Sequence, residues 1–416
     1  MRSLHFRAAQ AKRAATLIAL ALALSLALGA PSGGPAFTRE NTSGERPSAP
    51  GQPELRARSW VLTDAETGTY LAGKNPDDRL PIASTTNIMV ALVVLDEGVD
   101  LDKKVVVPEQ AERYVGFTYS NVGLIAGERL SVRDLLVAAL VASGTDAVYT
   151  LAEYLGDGSV GEFVQEMNQE VRSMGLKNTH FENPAGLDSP ENYSSARDLA
   201  TLARAAMEHP TFADIVGERE ATIRTQNREI EVFNTNLLLS SYREATGIKT
   251  GTSPEAGPCL VASAEGGGGE SYVAVVLGAK DDQYRYEAAR VALRYGFDNY
   301  EQRQLVRRGK VYRETPLPYR QGQPVGLAAA KGLVGPTGPG LKVERRIKEA
   351  KLPPAARAGQ RLGAVEVLVD GQSLGSSPLV AEKGYEEASL WDRARYAMMW
   401  PARRLWGWLS SRVAAP

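Results

Sequence analysis

Polar and apolar positions change period several times along the chain. In residues 59–74 the triplet Trp60-Val61-Leu62 and the segment Tyr70-Leu71-Ala72 flank Asp64-Ala65-Glu66-Thr67-Gly68, which predicts a β-hairpin with a polar, glycine-containing turn. After Pro81 an apolar run over 88–95 continues to Gly98, predicting a helix with Ser84 at its N-terminal end and a glycine at its stop. Helical spacing over 132–142 and 147–155 leaves Ser143-Gly144-Thr145 in an inter-helix turn, where polar groups are presented. Residues 246–252, 259–264 and 272–278 read as strands, the last two joined by Gly266 to Gly269, and helical periodicity returns over 284–295. Strands at both ends of a helical middle imply a single sheet closed by distant segments and covered by helices, an α/β (α+β) domain at about 55–300.

From Gln304 onward the texture changes to short runs such as Val365-Glu366-Val367-Leu368-Val369, split by Asp370-Gly371 and by prolines, so 301–388 is expected to be a small β-rich domain. The last segment, 389–416, holds four of the five tryptophans and five arginines, with apolar residues at Leu390, Ala394, Met398, Leu405 and Leu409. That spacing suits an amphipathic helix broken near Pro401. At the other end, Arg2, Arg7, Lys12 and Arg13 precede an apolar run over 17–28 and then Gly29-Ala30, the layout of a secretory signal in residues 1–30. A spacer rich in Pro, Gly and Ser follows over 31–54, so export is expected, with cleavage favoured over an uncleaved anchor.

Composition removes several classes of chemistry. The 416 residues are 43% hydrophobic and 23% charged, which suits soluble globular domains with a large core, and a formal net charge of -1 gives no field to hold nucleic acid. Cys259 is the single cysteine, so no intramolecular disulfide forms, and it reads as a small buried residue on a strand. The histidines are His5, His180 and His209; so few, so scattered, they argue against a metal site and against a Ser-His triad.

Three short boxes stand in order: Ser84-Thr85-Thr86-Asn87, Ser143-Gly144-Thr145 and Lys249-Thr250-Gly251-Thr252. They begin a helix, occupy a turn and lie on a strand, and in that context they resemble the S-x-x-K, S-x-N and K-T-G boxes of penicillin-binding proteins and serine β-lactamases. Longer stretches resemble the low-molecular-mass D-alanyl-D-alanine carboxypeptidases of that superfamily. These are Pro81-Ile82-Ala83-Ser84-Thr85-Thr86 with Ile88-Met89, Asn178-Thr179-His180-Phe181, Asn183-Pro184-Ala185-Gly186-Leu187-Asp188, Tyr193-Ser194-Ser195-Ala196-Arg197-Asp198-Leu199-Ala200 and Asn234-Thr235-Asn236-Leu237-Leu238. The match spans 55–300 and, more loosely, the β-rich domain and tail, which fit carboxypeptidases better than β-lactamases.

The resemblance implies an acyl-enzyme on Ser84, hydrolysis of the last bond of a peptidoglycan stem peptide ending in D-Ala-D-Ala, β-lactams as ligands, and no metal or organic cofactor. It gives Ser143 a proton-relay role, Lys249 and Thr250 the substrate's terminal carboxylate, and the backbone N–H groups of Ser84 and Thr252 the oxyanion hole, with Gly251 between them in the same box. Two positions depart from the pattern. Asn87 stands where the family has a lysine base; its amide has no useful proton affinity, and general-base help is worth about 10²–10⁴-fold. Thr145 stands where the family has an asparagine and offers one shorter hydroxyl. Two readings therefore remain open: a carboxypeptidase of reduced activity, or a family member that binds stem peptide or a partner without turnover. The C-terminal segment is expected on the outer face of the cytoplasmic membrane.

Overall fold

Strands β1 (Ala57–Asp64) and β2 (Tyr70–Lys74) form the expected hairpin, and their sheet is completed from the far end of the domain by β7 (Ala245–Ser253), β8 (Gly257–Glu265) and β9 (Ser271–Ala279). In the computed structural model, residues 51–320 and 323–398 are described; the signal segment, 31–50 of the spacer and 399–416 of the tail lie outside them. The sheet order is β2-β1-β9-β8-β7, every neighbour antiparallel, with β7 on the edge.

Both faces of the sheet are covered. Successive side chains alternate between faces, so Trp60, Leu62, Leu260, Ala262, Ala274 and Val276 pack on one side against Ala288, Ala289, Ala292 and Leu293 of the long helix at Asp282–Asn299. Val61, Cys259, Val261, Val273 and Val275 pack on the other side against a helical layer. That layer comprises α1 (Asn87–Asp96), α2 (Glu109–Glu112), α3 (Val132–Leu140), α4 (Thr145–Leu155), α5 (Val160–Ser173), α6 (Ala196–Met207) and α7 (Pro210–Gly217). A single turn, α8 (Leu238–Ser241), precedes β7, and Asp282–Asn299 is α9. Helix starts follow side-chain capping: Ser131, Ser159, Ser195 and Asp281 each accept from a backbone N–H three residues on. An antiparallel pair, β3 (Lys104–Val106) with β4 (Arg129–Ser131), and a hairpin, β5 (Glu220–Arg224) with β6 (Glu229–Phe233), flank this layer.

Beyond α9 the chain is all β. The strands β10 (Glu301–Val306) and β13 (Leu333–Thr337) pair with each other. The strands β11 (Val311–Pro316), β12 (Pro324–Ala329), β14 (Val343–Glu349), β15 (Arg361–Val369) and β16 (Gln372–Ala381) form a sheet in the order β11-β12-β16-β15-β14. Asp370 and Gly371, at φ 50 and φ 79, make the two-residue turn between β15 and β16. Helical structure begins again at 390–398, with Leu390, Trp391 and Met398 exposed. Among the described residues no helix is long and apolar enough to cross a membrane.

Candidate active site

Ser84 lies in a single 3-10 turn, Ala83–Thr86, that runs into α1. The hydroxyls of Thr85 and Thr86 donate back to the carbonyls of Ile82 (2.8 Å) and Ala83 (2.9 Å), which holds the turn without using Ser84. The Ser84 side chain caps nothing and is half-buried. The residue before it, Ala83, is held at φ 48, in the left-handed region that a residue with a Cβ rarely adopts. Such strain persists only where surroundings impose it. Here Gly186 sits directly against the Ala83 carbonyl: a Cβ on Gly186 would fall 1.9 Å from that oxygen.

The third box arrives at the same place. Within β7, residues 249 and 251 face the helical layer while 250 and 252 face α9, by strand alternation. A Cβ on Gly251 would lie 3.1 Å from the Ser84 nitrogen and 2.7 Å from the Ile82 carbonyl oxygen, so the strand can approach the Ser84 turn this closely only as glycine. On the same face, the buried Lys249 Nζ donates to Ser143 Oγ at 2.9 Å and to the Thr250 carbonyl at 3.0 Å. Burial, and secondarily the positive charge of Arg285, push the Lys249 amine down to about 7.

Ser143 is itself in the left-handed region, at φ 63, and is buried. Thr145 departs slightly from the sequence-based expectation, because it is the first residue of α4 rather than part of the preceding turn. Its N–H donates to the Ser120 carbonyl at 2.8 Å. The next residue, Asp146, is buried and fixes the loop beside the box by accepting from the N–H groups of Val122 (3.1 Å), Leu124 (2.9 Å) and Ala147 (3.0 Å). Burial raises its carboxyl above the usual range, against these hydrogen bonds. Asn87 is buried too: Nδ2 donates to the Ala139 carbonyl at 2.9 Å, and Oδ1 has no hydrogen-bond partner.

On the α9 face the chemistry differs. Arg285 Nη1 donates to Thr252 Oγ1 at 2.6 Å and to the Gly251 carbonyl at 3.2 Å, and its buried Nε has no partner. Thr250 Oγ1 lies 2.7 Å from Thr235 Oγ1. The cation beside Thr252 is thus a guanidinium from a helix 33 residues downstream in sequence, while Lys249, expected from the sequence to meet a carboxylate, is turned inward on Ser143. The sequence reading missed Arg285, Asp146 and Thr235. None had a local signal: Arg285 is one of three arginines along α9, with Arg290 and Arg294.

Three segments distant in sequence thus meet around one half-buried serine. A model of the D-alanyl-D-alanine carboxypeptidases matches residues 46–281. The chain belongs to that family. It is 33% identical to the D-alanyl-D-alanine carboxypeptidase DacF of Bacillus subtilis over 341 residues, 80% of this chain and 86% of the relative. It is 34% identical to DacD of Escherichia coli over 373 residues, 86% and 93% of the two chains. Among solved structures, penicillin binding protein 5 from Haemophilus influenzae superposes with TM-score 0.67 at 32% identity, over 81% of this chain and 99% of the other. A DD-transpeptidase from Streptomyces superposes with TM-score 0.57 at 37% identity, over 59% of this chain and 99% of its own. The fold is that of the DD-peptidases, with a β-rich C-terminal region.

Proposed function

We propose that the chain is an exported serine-type D-Ala-D-Ala carboxypeptidase of peptidoglycan stem peptides, acting through an acyl-enzyme on Ser84 and open to acylation by β-lactams. The observation that carries this reading is the close approach of β7 to the Ser84 turn at Gly251, with Lys249 joined to Ser143 on the same face. In this reading the substrate's terminal carboxylate lies against Thr252 and the Arg285 guanidinium that donates to its hydroxyl. The scissile carbonyl oxygen takes the N–H groups of Ser84 and Thr252, donors fixed in advance of charge development. The exposed Leu390, Trp391 and Met398 support seating of the C-terminal segment on the membrane surface.

A second reading, binding without turnover, is favoured by Asn87, whose amide is tied to Ala139 and supplies no base. Release of D-alanine from a diacetylated Lys-D-Ala-D-Ala peptide separates the two. Turnover that disappears in Ser84→Ala supports the carboxypeptidase; binding of the peptide with no D-alanine released supports the second reading.

A further inference from the structure

Position 87 supplies no base, so some other group must take the Ser84 proton if the serine is to attack. Around the cleft the candidates are few. Asn87, Thr145, Thr250 and Thr252 do not accept protons usefully near neutral pH, and Arg285 stays charged. Charged groups close to the cleft include Arg285 on α9, Asp146 at the start of α4 and Asp188 in the loop between α5 and α6, whose carboxylate meets the end of β7. Asp146 is engaged by three backbone N–H groups, and Asp188 by Ser253 and the Glu255 N–H. Among the described residues no carboxylate pairs with Lys249. Its amine is buried, touches one hydroxyl, and that hydroxyl belongs to Ser143.

We propose that Lys249 is this chain's proton acceptor, receiving the Ser84 proton through the hydroxyl of Ser143 and so replacing the lysine that position 87 lacks. The inference rests on the carboxypeptidase reading above. Gly251, which abuts the Ser84 nitrogen, and Lys249 lie two residues apart on one face of β7, a span of about 7 Å along the strand. Ser84 and Ser143 therefore border the same stretch of strand. The Ser84–Ser143 hydrogen bond that the relay needs would form in the complex with substrate, where catalytic hydrogen bonds commonly tighten.

The step balances. Ser84 Oγ bonds to the carbonyl carbon of the penultimate D-Ala as its proton moves to Ser143 Oγ, and the proton of Ser143 moves to neutral Lys249 Nζ, which becomes an ammonium. On collapse the C–N bond breaks, and the proton returns through Ser143 to the departing amine of D-alanine. Water then attacks the ester along the same path: its proton goes to Lys249, the C–O bond to Ser84 breaks, and Ser84 Oγ takes the proton back. Neutral Lys249 at the start is consistent with the depressed proton affinity that burial imposes.

The test follows acylation by a penicillin as intact mass against time and pH, on the whole chain. For wild type the rate should rise about tenfold from about pH 6 to about pH 8 and then level off, as the neutral fraction of one group titrating near 7 does. A flat profile, or one that climbs with no plateau, overturns the proposal without recourse to any variant. Lys249→Arg keeps the charge but cannot accept a proton, so it should lose acylation by at least about a hundredfold while a melting curve shows it folded. Near-wild-type rates in that variant overturn the proposal. Asn87→Lys separates the proposal from the reading beneath it. If that variant is acylated and wild type is not, the cleft is a carboxypeptidase site and Lys249 is not its base; if neither is acylated, the carboxypeptidase reading falls and the proposal with it.

Discussion

Replacing Gly186 by alanine tests how the nucleophile turn is held. Gly186 is at φ 76, and an L residue there costs roughly 1–2 kcal/mol before any contact is considered. Its new Cβ would lie 1.9 Å from the Ala83 oxygen, 2.3 Å from the Ala83 carbonyl carbon and 2.8 Å from Thr86 Oγ1. These are mainly backbone atoms of the turn that presents Ser84, and they must retreat by more than about an ångström to reach ordinary contact. The loop cannot give way instead. Asn183 Nδ2 donates to the Leu187 carbonyl at 3.0 Å and the Leu187 N–H donates to Asn183 Oδ1 at 2.8 Å, while Asp188 is tied to Ser253 and the Glu255 N–H. We expect a loss of about 3 kcal/mol or more and a displaced Ser84. Gly175→Ala is the control, because Gly175 has φ 70 but nothing within 4 Å of its new Cβ, so only the backbone cost applies. Melting curves should place Gly186→Ala below Gly175→Ala by about 2–4 °C, at about 1–2 °C per kcal/mol for a chain of this size. Acylation should fall in Gly186→Ala alone. Equal melting temperatures for the two variants, with Gly186→Ala acylated at the wild-type rate, would refute the reasoning.

Arg285→Ala should raise KM for a D-Ala-D-Ala peptide about 10- to 100-fold, the worth of a charged hydrogen bond, and should move the pH–acylation profile to higher pH, because the positive charge that helps depress Lys249 is gone. An unmoved profile with unchanged KM would remove Arg285 from the site. Burial of Lys249 also makes stability depend on pH. Between about 7 and 10.5 the unfolded chain binds a proton that the folded chain does not, so wild type gains stability as pH rises through that window and bears the full cost below it. Lys249→Met lacks this dependence, so its stability relative to wild type should be greater at about pH 6 than at about pH 9, by on the order of 2 kcal/mol in denaturant titrations; equal differences at the two pH values would contradict the buried, neutral amine. Deleting 389–416 should abolish co-sedimentation with liposomes of anionic lipid, and unchanged co-sedimentation would place membrane binding elsewhere.

Much of the fold was legible because its signals are local. The three strands of residues 246–278 were expected within about a residue or two of β7, β8 and β9, since turn residues bound them. A single sheet closed by distant segments was expected from strands at both ends of a helical middle, but not which strands pair: β1 lies beside β9. What the sequence did not reveal lies in contacts between distant segments. The resemblance gave Lys249 a substrate carboxylate to hold, but a strand pattern tells which residues share a face and not which protein neighbour lies beside them. The partner of Lys249, Ser143, is 106 residues away, and the carbonyl that holds Asn87 is 52 away. Arg285 was invisible for the same reason. Thr145 was misjudged by one step because a glycine before it, Gly144, reads as loop while the structure begins α4 immediately after.

We propose that Ser84 is a working nucleophile in a cleft that lacks the usual lysine beside it. Intact-mass spectrometry of the wild-type chain after incubation with benzylpenicillin, with Ser84→Ala in parallel, tests this directly. A mass increase of one penicilloyl group is expected on wild type, mapped by peptide digestion to the segment containing Ser84, and none on Ser84→Ala. An unmodified wild-type chain after prolonged incubation near pH 8, or an adduct that persists in Ser84→Ala, would contradict it.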